Sequence, residues 1–387
     1  MYNLGKSAIA IVYENIKAYL FRYPAPANIG YSWNFGSLAG LFILIQIITG
    51  LFLTMFYTPH TDAAFISIDY IMRNINNGWV VRYIHANGAS FFFFFLYIHM
   101  LRGFFYGSYQ YPRTNVWFTG VTMYLLLMGI AFLGYVLPWG QMSFWAATVI
   151  TNFITVVPFI GEELVFWIWG GFSINNATLA RFFSLHFVLP FIISMLICIH
   201  IWMLHHTSST NELKTRAWMN ERASFYPYFI VKDLLTLAYA FIIFGIALFY
   251  IPEIFNHSVN YIAADILVTP NHIVPEWYFL PYYAILRSIL NKTIGISAML
   301  LSIIIFYIFP ILDSGVGLGK ANNTRYRKMY WLFVLNLLFL GFLGSETAEY
   351  PCVEFGTMAT LMYMLLIFII LPFITATCIL LHRIYTE

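Results

Sequence analysis

The chain has 387 residues, of which 61% are hydrophobic and 9% charged, with a formal net charge of +3. This composition excludes an ordinary soluble domain, and nothing in the small net charge suggests a nucleic-acid partner. The 3 cysteines are scattered, so neither a disulfide framework nor covalent cofactor attachment through a Cys-x-x-Cys-His motif is expected. We therefore predict an all-α polytopic protein of the lipid bilayer.

Residues 1–33 are polar and aromatic, and they predict an amphipathic helix at the membrane interface, with no leader peptide before it. Eight apolar runs follow, each long enough to cross a bilayer. They cover roughly residues 34–57, 80–104, 114–136, 178–204, 230–250, 293–312, 329–345 and 356–382. We divide the chain accordingly into an N-terminal segment (1–33), a four-helix bundle (34–210) and a C-terminal four-helix region (211–387).

Lysine and arginine predict the orientation of these spans. Most of them, including Lys6, Lys214 and Arg216, fall on the side that holds both termini, here called the positive side. An excess of positive charge marks the cytoplasmic side, which is the matrix side in the mitochondrial inner membrane. The opposite, loop side then receives two long apolar connections, 137–177 and 251–292. These connections are too apolar for disorder, so we expect them to carry function at the membrane.

Two predicted spans each carry a pair of histidines fourteen residues apart, His85 with His99 and His186 with His200. That spacing is about 3.9 helical turns, so each pair shares one helix face and spans roughly 21 Å. Side by side, the two helices would oppose the four imidazoles as two couples, one towards each membrane surface. A single intramembrane histidine is explained by a hydrogen bond to a neighbouring helix. Four at equal spacing instead predict two haems, each ligated by two histidines.

Four glycines repeat the same interval, Gly36 with Gly50 in the first span and Gly120 with Gly134 in the third. A glycine leaves a notch in which a flat haem can approach the backbone. Small residues also mediate ordinary helix packing in membranes, so each glycine alone indicates little. The shared interval favours two planar ligands at two depths.

Arg82 lies one turn before His85, and Arg102 one turn after His99. Haem propionates are anions that would pair with these arginines. Snorkelling of the arginines to the interface is the alternative, and both can hold together. Ligation by two histidines leaves no open iron position, which suits electron transfer rather than oxygen chemistry.

Four segments together resemble the cytochrome b family of ubiquinol–cytochrome c reductase, respiratory complex III. They are the two histidine segments, Gly134-Tyr-Val-Leu-Pro-Trp-Gly-Gln-Met-Ser-Phe-Trp145 and Pro275-Glu-Trp-Tyr278. The resemblance covers about residues 20–380 and favours the mitochondrial and bacterial type, since both histidine pairs have equal spacing within one eight-span chain. It implies a low-potential b-type haem between His85 and His186, and a high-potential one between His99 and His200.

Glu276 is a lone carboxylate in the apolar connection 251–292, on the loop side. Apolar surroundings raise a carboxyl pKa, which allows it to accept a proton near neutral pH. Oxidation of a quinol releases two protons with two electrons, so such a group suits that reaction; a solvated position in an interfacial aromatic belt is the alternative. The resemblance implies that Glu276 and Tyr283 line a quinol-oxidation pocket, facing Met142, Phe144 and Ala146.

On the positive side, His205 ends the fourth span and Asp233 opens the fifth. A histidine and a carboxylate near the second haem can deliver protons to a reduced quinone. Helix capping by the same residues would give the same pattern. The resemblance implies that His205, Asp233, Ser209 and Asn34 surround a quinone-reduction site.

Two positions depart from the family pattern. Ala146 stands where the family usually has glycine, and its methyl group is expected to exclude bulky methoxyacrylate-type inhibitors while sparing quinol. The turn Thr207-Ser-Ser-Thr-Asn211 replaces the family's usual Gly-Ser-Ser-Asn-Pro, so the expected geometry around Ser209 is less well defined.

The resemblance implies a subunit that oxidises ubiquinol on the loop side and reduces ubiquinone on the positive side, translocating protons. It also implies as partners a Rieske-type iron–sulfur subunit, a membrane-anchored c-type cytochrome, other complex III subunits and a second copy in a homodimer. Two other functions fit parts of the sequence. A di-haem anchor of a quinone-linked dehydrogenase would need neither eight spans nor two long connections on one side, and a secondary transporter with broken helices would bind no haem.

Overall fold

The computed structural model describes residues 8–211, 221–313 and 320–386. Lys6, Lys214 and Arg216, on which the predicted orientation partly depends, lie outside these ranges. The described secondary structure is helical except for one antiparallel ribbon, β1 (Pro24–Pro26) paired with β2 (Arg222–Ser224), and one isolated antiparallel bridge between Gly140 and Ala263. The ribbon joins the segment before the first span to the segment before the fifth.

The helices are α1 (Ala8–Leu20), α2 (Phe35–Thr54), α3 (Ala64–Arg73), α4 (Gly78–Phe105), α5 (Thr114–Val136), α6 (Gln141–Thr151), α7 (Gly161–Trp169), α8 (Asn176–Thr207), α9 (Ile230–Phe249), α10 (Leu280–Arg287), α11 (Lys292–Leu312), α12 (Thr324–Ser345), α13 (Cys352–Leu365) and α14 (Leu371–Thr386). Among the described residues, 8 helical stretches are long and apolar enough to cross a membrane. They contain α2, α4, α5, α8, α9, α11, α12 and the continuous pair α13–α14. The predicted all-α fold with eight spans is confirmed, and α1 confirms a helix in the N-terminal segment.

The last span contains a wide helical turn at Leu366–Ile370, just before Pro372. Proline has no amide hydrogen, and its ring collides with the carbonyl one turn earlier, so a regular helix cannot continue unchanged through it. The wide turn lets α13 continue into α14 across the proline.

Two helix pairs dominate the N-terminal half: α2 packs along α4, and α5 packs along α8. Each pair is antiparallel, because its members are consecutive spans joined by a connection that does not cross the membrane. Aromatic side chains fill the interior between the helices, and Phe42 and Tyr124 are fully buried. This packing fixes the depth at which side chains of one helix meet those of its partner.

The two long connections on the loop side are more regular than the sequence indicated. Residues 137–177 contain α6 and α7, and residues 251–292 contain α10. Prolines and short apolar runs suggested irregular chain. A largely apolar segment near hydrocarbon, however, must satisfy its own backbone hydrogen bonds, which favours helix.

Contacts between distant segments establish which helix ends share a face. The backbone amide of Gln141 donates to the Ile262 carbonyl at 2.9 Å, so the two long connections meet on one side. At the opposite end, Arg113 donates to the Ser208 carbonyl at 2.7 Å, and the Tyr326 hydroxyl donates to the Phe104 carbonyl at 2.6 Å. These contacts agree with the predicted grouping of helix ends, whereas the predicted orientation and the division into three regions stay predictions.

Candidate functional site

The four predicted ligands face one another as two couples in the interior of the bundle. The ring centroids of His85 and His186 are 6.2 Å apart, and those of His99 and His200 are 6.4 Å apart. These gaps are too wide for a hydrogen bond between the rings. Each gap instead has room for a metal ion between the two rings. Two metal–nitrogen bonds of about 2 Å, plus the distance from each ring centre to its nitrogen, account for the separation of the centroids.

Each of the four glycines lies against one of these imidazoles. A Cβ atom built on Gly36 would lie 3.0 Å from Cε1 of His99, and one on Gly50 would lie 3.1 Å from Cε1 of His85. In the other helix pair, a Cβ on Gly120 would lie 3.4 Å from Cε1 of His200, and one on Gly134 only 2.5 Å from Cε1 of His186.

The glycine notches therefore receive imidazole rings, whereas the sequence had suggested the flat face of the ligand itself. The common interval has a simple cause. In two antiparallel helices with equal rise per residue, equally spaced positions on one helix meet equally spaced positions on the other. A glycine opposite each histidine lets the ring lie close to the neighbouring backbone, beside the gap that separates it from the other ring of its couple.

A second contact fixes the orientation of each imidazole. Nδ1 of His85 lies 2.9 Å from the Thr49 hydroxyl, and Nδ1 of His200 lies 3.0 Å from the Thr119 hydroxyl. Both threonines donate their own protons to helix carbonyls, so each accepts a hydrogen from the imidazole. This leaves Nε2 with a free lone pair, the state needed for binding a metal.

The other two histidines differ from each other. Nδ1 of His186 donates to the Ile130 carbonyl at 2.8 Å, which again leaves Nε2 free. Nδ1 of His99 instead lies 3.3 Å from a guanidinium nitrogen of Arg102. A cation, not an oxygen, is thus the polar neighbour of His99.

Both predicted propionate-binding arginines carry buried nitrogens without a hydrogen-bond partner, NH1 in Arg82 and Nε in Arg102. The indole nitrogen of Trp33 is also buried without a partner, and the Arg102 guanidinium lies 5.2 Å from the centre of its ring. Unsatisfied buried donors are costly, so these positions suit an anionic ligand. Together with the histidine couples, they fit two haems whose propionates lie near Arg82 and Arg102.

Glu276 lies half-buried on the loop side, near Arg82, Tyr135 and Tyr278. Burial raises the pKa of its carboxyl to about 7, although the positive charge of Arg82 opposes the rise. A carboxyl with this pKa exchanges its proton in the neutral range, as predicted.

Tyr283 lies on α10, seven residues after Glu276. Its hydroxyl donates to the Ile273 carbonyl at 3.0 Å, and the Arg287 guanidinium lies 4.5 Å from its ring centre. On α6, Met142, Phe144 and Ala146 are all buried. The described contacts connect α6 with residues 260–268 of the connection that bears Glu276.

On the positive side, the start of the first span meets the start of α9. The Asn34 amide donates to the Lys232 carbonyl at 3.0 Å and to the Thr236 hydroxyl at 2.6 Å. Ser37, one turn later, lies within hydrogen-bonding reach of the Asp233 carboxylate. The structure therefore brings Asn34 and Asp233 together.

His205 stacks on Tyr23, with ring centroids 4.2 Å apart and ring planes 15° from parallel. Tyr23 in turn belongs to a small apolar cluster with Trp33 and Phe229, next to Asn34. His205 thus borders the same region through Tyr23.

The turn that follows α8 has an unusual backbone. Ser208 has φ 63° and ψ 159°, a conformation that glycine adopts far more readily. Arg113 holds the turn by donating to the carbonyls of Ser208 and Ser209 at 2.7 and 3.2 Å. The turn is therefore held by a strained residue, which is serine in the family pattern as well, and by two hydrogen bonds from Arg113.

Several residues that shape these sites were not identified from the sequence. Thr49 and Thr119 directly precede Gly50 and Gly120, and the repeated Thr-Gly pair was a usable signal. The side-chain oxygen of Asn260 accepts from the Ser143 amide at 2.9 Å and so satisfies the first turn of α6. No pattern within either segment revealed that contact, since its partners are distant in the chain.

Comparisons with known proteins cover nearly the whole chain. The family model described as cytochrome b/b6/petB matches residues 20–208, and that of the C-terminal cytochrome b/b6/petD matches residues 263–364. The chain is 50% identical to cytochrome b of Phytophthora megasperma over 91% of each chain. It is 50% identical to cytochrome b of Mycosarcoma maydis over 92% of this chain and 90% of the relative. A solved structure described as a hyperthermophilic respiratory complex III matches with a TM-score of 0.89 and 31% identity, over 95% of this chain and 97% of that chain.

Proposed function

The chain belongs to the cytochrome b family, and we propose from this premise that it is the di-haem, quinone-binding subunit of a ubiquinol–cytochrome c oxidoreductase. It is the electron-transfer subunit of a respiratory complex III and a multi-pass membrane protein. The observation that carries the finer proposal is the pair of opposed histidine couples, each ring seated against a glycine.

His85 and His186 would hold the low-potential haem, and His99 and His200 the high-potential one. When bound, the two haems supply one-electron redox centres at two depths of the membrane. Arg82 would pair with propionates of the first.

Arg102 and Trp33 would pair with propionates of the second haem, since both carry buried donors without partners. Gly36, Gly50, Gly120 and Gly134 give the imidazoles access to the gaps. These glycines belong to the proposed haem sites through the ligating histidines that they contact.

Quinol oxidation takes place on the loop side. Removing two electrons from ubiquinol releases two protons, and Glu276 accepts one of them when its carboxyl is ionised. Tyr283 lines the same pocket from α10, and Ala146 closes it from α6 beside Met142 and Phe144. The raised pKa of Glu276 supports this assignment, because the carboxyl can both take the proton and release it near neutral pH.

Quinone reduction takes place on the positive side. Two electrons and two protons convert ubiquinone to ubiquinol there, with Asp233 and His205 as proton donors. Asn34 and Ser209 would orient the quinone. The proximity of Asn34 to the start of α9 supports this grouping.

Because only one electron of each quinol crosses the bundle, two quinols are oxidised for each quinone reduced. About four protons are then released on the loop side for every two taken up on the positive side, so the reaction builds a transmembrane gradient. One electron of each quinol must leave the chain, and a Rieske-type iron–sulfur subunit and a membrane-anchored c-type cytochrome are the proposed recipients. We also propose other complex III subunits, a homodimer, the mitochondrial inner membrane and an N-terminus on the matrix side.

The proposal is tested by a reduced-minus-oxidised spectrum and a haem count on the purified complex. We expect two non-covalent b-type haems per chain. Antimycin-type inhibitors should block reoxidation of the haems without blocking quinol oxidation. Oxidation-site inhibitors should block quinol oxidation without blocking reoxidation of the haems. A haem-free chain would refute the proposal, and a single inhibitor-sensitive site would favour a dehydrogenase anchor.

A further inference from the structure

The turn at Pro275–Phe279, which carries Glu276, lies along one stripe of helix α4. The Trp277 indole nitrogen donates to the Ser90 hydroxyl at 3.1 Å. The Tyr278 ring stacks on Phe93, with centroids 4.0 Å apart and planes 5° from parallel. Positions three and four residues apart share a helix face, so the contacts of α4 with this turn form a continuous track.

The track ends in a network of three tyrosine hydroxyls. The Tyr97 hydroxyl donates to the Tyr278 carbonyl and lies 3.2 Å from the Tyr124 hydroxyl. The hydroxyls of Tyr124 and Tyr282 are 2.7 Å apart. The three residues belong to α4, α5 and α10, and Tyr124 and Tyr282 are buried. The Tyr124 hydroxyl is the donor to Tyr282, so the three hydroxyls form a connected chain that ends at the Tyr278 carbonyl.

We propose that the Tyr97–Tyr124–Tyr282 triad is a positioning device that fixes the Glu276-bearing turn to the haem-bearing helix α4. This inference rests on the proposed function and adds residues to its loop-side site. The bundle interior here is otherwise aromatic and apolar, and phenylalanine would fill the same volume. The hydroxyls therefore add a defined attachment rather than bulk, because a buried polar network holds its partners in one arrangement.

Attachment of this turn matters because Glu276 lies only two residues before the carbonyl that Tyr97 holds. A small displacement of a proton acceptor from its substrate costs rate far more than it costs stability. His99 lies two residues after Tyr97 on α4, so one helix positions both the acceptor turn and a haem ligand.

The test is single replacement by phenylalanine, Tyr97→Phe, Tyr124→Phe and Tyr282→Phe, in the intact complex. We expect kcat for quinol oxidation to fall about three- to tenfold in Tyr97→Phe, with smaller losses in the other two. KM should change less than kcat, and the haem spectrum should be unchanged. The acid limb of the pH profile should move to lower pH, since a looser turn exposes Glu276, beside Arg82 and Tyr135, to water.

Tyr363→Phe is the matched control, because the Tyr363 hydroxyl is buried and donates to the Ser302 carbonyl at 2.8 Å rather than to the Glu276-bearing turn. Its kcat and pH profile should be those of the parent. Unchanged kcat and pH profile in Tyr97→Phe, or equal losses in Tyr363→Phe, would overturn the positioning role. Glu276→Gln, measured in parallel, separates the proposed function of Glu276 from the positioning role of the triad. If Glu276→Gln leaves kcat unchanged, Glu276 is not the proton acceptor. If Glu276→Gln lowers kcat and the tyrosine variants do not, only the positioning role is wrong.

Discussion

At the scale of single residues, each proposed haem ligand is held by two contacts that do different work. A glycine on the neighbouring helix makes room for the ring, and a hydrogen bond or a cation at Nδ1 sets its orientation and electron density. The first contact is steric and decides whether the ring fits. The second is electronic and decides how strongly the nitrogen donates to a metal. The two contacts can be tested independently.

Gly134→Ala tests the steric contact. The new Cβ would lie 2.5 Å from Cε1 of His186, which no side chain tolerates, so the ring must move. We expect loss of the loop-side haem and a fall from two haems per chain to about one, measured by quantitative haem spectroscopy. Gly129→Ala in the same helix is the control, because a Cβ there meets no atom within 4 Å. Full haem content in Gly134→Ala would contradict the role given to this glycine.

Thr49→Val tests the electronic contact at nearly constant volume. Nδ1 of His85 would lose its acceptor, the imidazole would donate less strongly to iron, and the oxidised state would be less stabilised. We expect the midpoint potential of the loop-side haem to rise by about 20 to 60 mV. This range is the usual free energy of one hydrogen bond, converted to the potential of a one-electron couple. Thr122→Val provides the comparison, since Thr122 bonds to Tyr307 rather than to a histidine. A downward shift in a redox titration, or an equal shift in both variants, would count against the assignment.

At the scale of helices, hydrophobicity was sufficient to place all eight spans, because each run of about twenty apolar residues has one physical outcome in a bilayer. The motifs were also sufficient to identify the family, and the histidine spacing predicted the two opposed couples that the structure contains. The helices α6 and α10 were not predicted, since their apolar runs are short and lie beside prolines. The partners of the glycines and of Ser143 could not be predicted either, because they depend on which distant helix lies alongside.

Helix α6 carries the residue whose side chain departs from the family. Ala146 is buried on α6, so its methyl group occupies space on the inner side of the helix. Ala146→Gly should increase sensitivity to methoxyacrylate-type inhibitors about ten- to hundredfold, as expected for relief of overpacking, with little change in KM for quinol. Inhibition curves on the purified complex measure this. Antimycin-type inhibitors serve as the control, because they act on the opposite side; unaltered methoxyacrylate sensitivity would show that the methyl group does not limit that pocket.

At the scale of the whole molecule, the proposed quinol-oxidation and quinone-reduction sites lie at opposite ends of the helices, and the four-helix bundle connects them. Glu276 lies among the loop-side connections, whereas Asp233 begins α9 at the opposite end, beside Asn34. A vectorial reaction needs this separation, since protons must leave and enter at different faces. The comparisons confirm the family, and the proposed two-sided arrangement would let this fold couple quinone chemistry to a gradient.

The separation predicts opposite phenotypes for the two carboxylates. Below about pH 7, Glu276 holds a proton and cannot accept another, so quinol oxidation should slow as the pH falls through that value. Glu276→Gln should lose this acid limb and reduce the rate of haem reduction by quinol at least about tenfold, measured in single turnovers with an antimycin-type inhibitor present. Asp233→Asn should leave that rate unchanged, because the inhibitor already blocks the positive side, and should slow haem reoxidation when the inhibitor is omitted. If Asp233→Asn slowed the inhibited turnover as much as Glu276→Gln, the two carboxylates would not serve separate sites.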